Sequence, residues 1–299
     1  MRTARYLILV CCLALAAVPN PARAACEGYV PGPKPQNVGR DITGTDLDTI
    51  IERGFIEFAV YDNFPPYSWK EKGKPRGIDV DLGRLIAEDL GVKARFNLVA
   101  AGEDVDADLR FQVWKGPLIG GRVSNVMLHV PYSIDLACRN EQTVLTGQYF
   151  NETVAIAFRK DAYPDGGPTP AFFRYDTVAV ENDTIADFYL SSLMGGQLTR
   201  NIRRFPTTAK AMEALARGEV KAAMGAKGQL EFGVTPEIAV HQPPLVGFSH
   251  GEWTLGVAVR HNYRPLAYRV GDAIRAAVED GRLAKIFANY GLTYKKPEW

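Results

Sequence analysis

The 299-residue sequence lacks the short motifs that mark the common nucleotide-dependent enzymes. It has no Gly-x-x-x-x-Gly-Lys-Ser/Thr loop to cradle a phosphate and no Gly-x-Gly-x-x-Gly dinucleotide turn. Its four histidines, His129, His241, His250 and His261, are scattered without metal-ligand spacing. Glu52-Arg53 and Glu88-Asp89 read as solvated helix faces rather than paired catalytic acids. These absences point away from an enzyme and imply neither a metal nor another cofactor. No charge sign dominates either. The first 25 residues hold three arginines and no acid, so 35 basic residues become 32 against 34 acidic ones. That balance gives no sign of a nucleic-acid-binding surface or an anionic-membrane surface. No internal repeat is visible, and no stretch after residue 25 is long and apolar enough for a transmembrane helix.

What is present begins at the N-terminus. Arg2 and Arg5 precede an apolar run from Tyr6 to Val18, shorter than the about 20 residues a spanning helix needs. A polar, turn-prone stretch and Ala22-Arg23-Ala24 follow, which is the order of a secretory signal peptide cleaved after Ala24 or Ala25. Cys26 after two alanines also admits a lipoprotein signal, against which Arg23 stands where an aliphatic residue is wanted. Cys11 and Cys12 leave with the signal, so the exported chain keeps Cys26 and Cys138. Two thiols in an oxidising compartment are expected to pair, the alternative being two unrelated buried thiols.

Residues 26–45, rich in Gly, Pro and Asp, read as an extended tail. A helix-strand grammar then sets in. Leu47, Ile50 and Ile51 share a helical face that Gly54 closes, Phe55 to Tyr61 is a short buried strand, and Asp62 to Tyr67 is a loop. Asp79 or Asp81 is expected to cap the next helix, with Leu82, Leu85, Ile86 and Leu90 on its buried face, and Val92 to Val99 returns as a strand. Strand, helix, strand in this order builds a sheet with parallel neighbours. Leu109 to Trp114 reads as helical, and Pro117 to Arg122 as a Gly-rich turn. Val126 to Val130 and Thr153 to Arg159 are strands, with a loop at Asp165-Gly166-Gly167-Pro168 that suits a crossing between lobes. Asn182 or Asp183 is expected to cap a helix from Thr184, and Thr207 or Thr208 one from Ala209 to Arg217. Thr254 to Val259 leads back, and Tyr268 to Tyr290 is helical with a break at Gly281.

The segment Leu47 to Val99 carries an aromatic-Pro-Pro-Tyr loop, then Gly77-Ile-Asp-Val-Asp-Leu at a helix start, then Leu90-Gly-Val-Lys. It resembles the N-terminal lobe of the family-3 periplasmic solute-binding proteins of polar amino-acid type. Val178-Ala-Val-Glu-Asn-Asp-Thr-Ile-Ala-Asp and Ala211 to Met224 continue the likeness. The resemblance implies an α/β, type II periplasmic-binding-protein-like fold with two α/β lobes and a two-strand hinge. The implied division is signal 1–25, tail 26–45, lobe 1 over 46–155 and 254–299, and lobe 2 over 156–253. Asp106-Ala-Asp-Leu-Arg-Phe-Gln-Val-Trp-Lys-Gly, followed by Val126-Met-Leu-His-Val-Pro, is similar to a narrower branch. That is the quinoprotein-associated MxaJ/XoxJ type, encoded beside pyrroloquinoline-quinone methanol dehydrogenases.

The resemblance also implies site residues. Arg139, ahead of Leu145-Thr146-Gly147-Gln148-Tyr149, stands where amino-acid carriers fork an arginine onto the ligand carboxylate. It also reads as a surface arginine beside Cys138. The carriers' Gly-Thr helix start is Asp183-Thr184 here, which sets a negative charge where the ligand's own should lie. The Asp that meets the ligand ammonium falls at Ala226, with Lys227 alongside. An amino acid would lose its amine anchor, and an unpaired buried charge costs several kcal/mol. Tyr67, Trp69 and Trp114 read as an exposed aromatic platform, while Tyr61 and Phe64 read as packing. The expectation is a periplasmic, non-enzymatic accessory to a quinoprotein methanol dehydrogenase, with that enzyme and its cytochrome as partners. The alternatives are a transport receptor for a small non-amino-acid solute and a dehydratase, since some relatives of the fold are dehydratases.

Overall fold

The computed structural model describes residues 26, 44–117, 122–248 and 251–298. The signal at 1–25, nearly all of the tail, the tip of the Gly-rich turn (118–121) and His250 lie outside them. Asp46 caps α1 (Leu47–Arg53) by accepting from the Thr49 amide, and Gly54 ends it at φ 73°, a conformation glycine adopts without strain. Strand β1 (Phe55–Tyr61) follows, then the small hairpin of β2 (Trp69–Glu71) and β3 (Lys74–Arg76). Helix α2 (Ile78–Asp89) and strand β4 (Lys93–Val99) complete the opening unit, and β4 pairs in parallel with β1.

The start of α2 differs from expectation. Neither Asp79 nor Asp81 caps it; Gly77 holds the cap position with no side-chain bond. The orphan amides are taken by backbone instead, Ile78 donating to the Pro66 carbonyl and Asp79 to the Tyr67 carbonyl. The Asp79 side chain is thereby released into the interior, where it is fully buried. Gly77 is required for this approach: at φ 131°, a Cβ would lie 2.1 Å from the Tyr67 carbonyl oxygen.

The chain continues through α3 (Val105–Leu109), a π-helical turn at Arg110–Trp114, β5 (Val126–Pro131) and α4 (Ile134–Arg139). Strand β6 (Thr143–Arg159) is 17 residues long. Beyond it lie β7 (Val178–Glu181), α5 (Ile185–Ser192), β8 (Ile202–Phe205), α6 (Thr208–Ala216), β9 (Ala222–Ala226), α7 (Lys227–Phe232) and β10 (Ile238–His241). Strand β11 (Glu252–Arg260) returns antiparallel to β5 and β6, and α8 (Arg264–Glu279) and α9 (Arg282–Asn289) follow, separated by Gly281 in the left-handed region.

The strands form one path, β4-β1-β5-β11-β6-β9-β7-β8, with β10 also on β6. Buried residues separate along it. One large cluster gathers Ile56, Phe58, Leu82, Ile86, Val257, Val270, Ile274 and Phe287. The far part of β6 alternates, so that Val154, Ile156 and Phe158 face one cluster with Leu190 and Met224. Ala155 and Ala157 face another with Met212, Leu215 and Leu230. This is the type II periplasmic-binding-protein-like fold, two α/β lobes joined by the strands β6 and β11. The Asp165–Pro168 loop does not make the crossing. It lies beyond β6, where the Pro168 carbonyl meets His241 Nε2 at 3.0 Å. Cys26 and Cys138 are disulfide-bonded with Cα atoms 5.6 Å apart, fixing the tail to α4.

Candidate binding pocket

A cavity of about 340 Å³ opens between the lobes. Phe64, Tyr67 and His129 line it from the first lobe, Glu152 and Val154 from β6, and Trp253 from β11. The remaining wall comes from Glu181 and the run Asp183 to Ala186, with Thr208, Gly225, Ala226 and Gln229.

The loop that caps α2 also builds the first wall. Folding its carbonyls onto that helix turns the Tyr67 ring inward, against His129 (centroids 4.3 Å apart) and Phe64 (5.4 Å). Tyr67 is therefore only 1% exposed, which corrects the expectation of an exposed platform there. Its hydroxyl donates to Glu152 Oε2, while Glu152 Oε1 accepts from the amides of Thr153 (2.9 Å) and Gly228 (3.3 Å). Burial pushes the Glu152 carboxyl above its usual range against these donors, and pushes the Tyr67 phenol well up. Helix α7 lies so close that a Cβ on Gly228 would sit 2.3 Å from the Tyr67 hydroxyl oxygen.

His129 sits inside β5 at φ 60°, a left-handed conformation that is uncommon for a residue other than glycine. The twist turns its ring into the wall. Nδ1 lies 3.1 Å from Asp79 Oδ2, and Tyr149 donates to Asp79 Oδ1 at 2.8 Å. His129 makes no hydrogen bond through Nε2 among the described residues.

On the second lobe, Glu181 ends β7, and its Oε2 accepts from the Thr208 amide (2.8 Å) and hydroxyl (2.7 Å). The cap of α5 is Thr184, not Asn182 or Asp183. Asp183 takes a left-handed φ of 59°, its carboxylate accepts from the Asn182 side-chain amide, and its own amide donates to Asp187 Oδ2 at 3.3 Å. Asp187, paired with Arg204 at 2.8 Å, already answers the positive end of this helix.

The cavity thus brings together Tyr67, Asp183 and Thr184, and does not include Trp69, Trp114 or Arg139. Trp69 packs against Phe232 and Tyr290. Trp114 is half-buried, and its carbonyl accepts from Arg260. Arg139 is exposed, its guanidinium held by Asp106 at 3.1 and 3.4 Å. Among the described residues no lysine or arginine lines the cavity, and Lys227 pairs with Glu231. Glu152, Glu181, Asp79 and His129 are the groups the sequence reading missed as site residues. A lone glutamate at the start of an apolar strand was the available signal for Glu152. No local pattern marked His129. Among the described residues no group of three or more His, Cys, Asp or Glu could hold a metal ion, and no helix is long and apolar enough to cross a membrane.

Residues 56–107 match the bacterial extracellular solute-binding proteins, family 3. Among solved structures, an ancestral cationic amino acid solute binding protein superposes with a TM-score of 0.66 at 22% identity, covering 82% of this chain and 99% of that one. An arginine-bound amino acid ABC transporter substrate-binding protein from Streptococcus pneumoniae gives 0.59 at 17% identity, covering 83% and 99%. An ancestral amino acid-binding protein, a precursor of cyclohexadienyl dehydratase, gives 0.57 at 20%, covering 82% and 99%. Among curated proteins, none matches. These likenesses establish the solute-binding-protein fold.

Proposed function

We propose that this chain is a periplasmic, solute-binding-protein-like accessory factor for a PQQ-dependent methanol dehydrogenase of the lanthanide type. It acts in maturation or activation of that enzyme by protein contact, with the cytochrome partner as a further contact, and not by catalysis. The partner rests on the likeness of Asp106 to Pro131 to the quinoprotein-associated branch. The observation that carries the departure from amino-acid transport is the pocket's charge. Glu152, Glu181 and Asp183 line it without a lysine or arginine, and Arg139 is engaged by Asp106. A ligand α-carboxylate would enter against like charge, with no cation to offset its desolvation. The proposal includes export by the 1–25 signal, the lobe boundaries 46–155, 156–253 and 254–299, and a partner surface that takes in Trp69 and Trp114.

Pull-down of the mature chain with dehydrogenase apoenzyme tests the role. Complex formation and a rise in dehydrogenase activity are expected; neither a complex nor an effect would overturn it. A second reading, a receptor for a small non-amino-acid solute feeding an ABC transporter, is favoured by the cavity itself.

A further inference from the structure

We infer that the interlobe pocket takes a small protonated amine that carries no carboxylate. The inference rests on the pocket not being an amino-acid site, and it holds whether or not a dehydrogenase is the partner. Its basis is that the wall carries the carboxyl groups of Glu152, Glu181 and Asp183 and, among the described residues, no lysine or arginine. Glu181 Oε1 has no hydrogen-bond partner among the described residues, because both Thr208 donors go to Oε2. His129 is a second and independent feature. Its side chain is 12% exposed, with Nδ1 at Asp79, so that Nε2 is the ring atom without a partner. The Tyr67 hydroxyl is committed to Glu152 and the Thr208 hydroxyl to Glu181, so two of the wall's donors are withdrawn.

An ammonium group brings a positive charge and three N–H donors to these carboxyl groups. The rest of the lining suits a short alkyl chain. Phe64 and Trp253 offer rings that attract a cation and cover methylenes, and Val154 and Ile185 add apolar surface. A volume of about 340 Å³ limits the ligand to the small end of known sites. The pocket therefore lacks the acid-recognising half of an amino-acid site and, with Ala226 at the usual amine anchor, offers Glu181 to the amine instead.

Isothermal titration of the mature protein with n-butylamine, putrescine, butyrate, L-arginine and tetramethylammonium tests this. Saturable binding of butylamine or putrescine is expected, with L-arginine and butyrate at least tenfold weaker. Tetramethylammonium, a cation without N–H donors, should also be at least tenfold weaker. Glu181→Gln should weaken amine binding about tenfold, the worth of one charge-assisted hydrogen bond. His129→Phe, which keeps a ring but loses both ring nitrogens, should also weaken it, and circular dichroism reports whether each variant folds. The inference is overturned if none of the amines binds, if L-arginine or butyrate binds as tightly, or if tetramethylammonium matches butylamine. Loss of the dehydrogenase interaction with amine binding intact would remove the accessory role alone.

Discussion

Tyr67 and Glu152 lie 85 residues apart in sequence and meet in one buried hydrogen bond. Tyr67→Phe removes a donor from a carboxyl that is 2% exposed, and the expected loss is about 1–3 kcal/mol by urea unfolding. The pH dependence has a definite sign. Burial raises the folded-state pKa of Glu152, so ionising it opposes folding increasingly as pH rises from the ordinary carboxylate value through the raised one. The Tyr67 bond counters that rise. The penalty of Tyr67→Phe should therefore be small at acid pH and grow above the usual carboxylate range; a flat difference across pH 4–8 would mean that Glu152 stays protonated throughout. Amine affinity should increase over the same interval, because the ionised carboxylate attracts the cation.

At the scale of elements, the most demanding junction is the one between the Asp62–Ser68 loop and α2. Gly77→Ala places a Cβ against backbone at 2.1 Å, with φ in a region alanine rarely adopts. A loss above about 3 kcal/mol, or failure to fold, is expected, read from the midpoint of thermal unfolding. The Cys26–Cys138 bridge spans 112 residues. Reduction, or Cys138→Ser, should lower stability by about 2–5 kcal/mol, measured by guanidinium unfolding with and without reductant.

Elements were the part of the fold most open to reading from sequence. The α1 stop at Gly54, the buried strand β1, the strand β4, the α6 cap at Thr207 and the break at Gly281 follow from local residue chemistry, and each lies where the pattern puts it. The cap of α2 was misread because an acidic residue at a helix start normally meets its own amides. Here a loop ten residues upstream supplies carbonyls, and Asp79 turns inward. Pocket residues were harder for the same reason. Tyr67, His129, Glu152 and Glu181 converge through strand order, and nothing within a few residues of each signals that convergence. His129 also depends on a positive φ, which no side-chain pattern announces.

At the scale of the whole molecule, the separate buried clusters share β6, whose residues serve both lobes. Unfolding of one lobe would strip a central strand from the other. A single cooperative transition is therefore expected, with tryptophan fluorescence (Trp69, Trp114, Trp253) and far-ultraviolet dichroism coinciding in urea. Two resolved steps would show that the lobes unfold independently. The bend that lets one strand serve both falls at the register slip between Leu255 and Val257, opposite Gly147 at φ 57°.

The segment after α9 gives the two lobes a tie separate from the strands. Its Thr293 amide donates to Glu231 of α7 at 2.8 Å, its Tyr294 hydroxyl to the Tyr149 carbonyl at 2.8 Å, and Lys295 pairs with Glu252 at 2.6 Å. Leu292 packs beside Gly228, at the same corner where Tyr67 reaches Glu152. Mechanically this makes a latch alongside a hinge. Parting the lobes must either release Thr293 from α7 or drag that helix with it, so the resistance to opening is set at residues 292–295 as much as at the crossing strands.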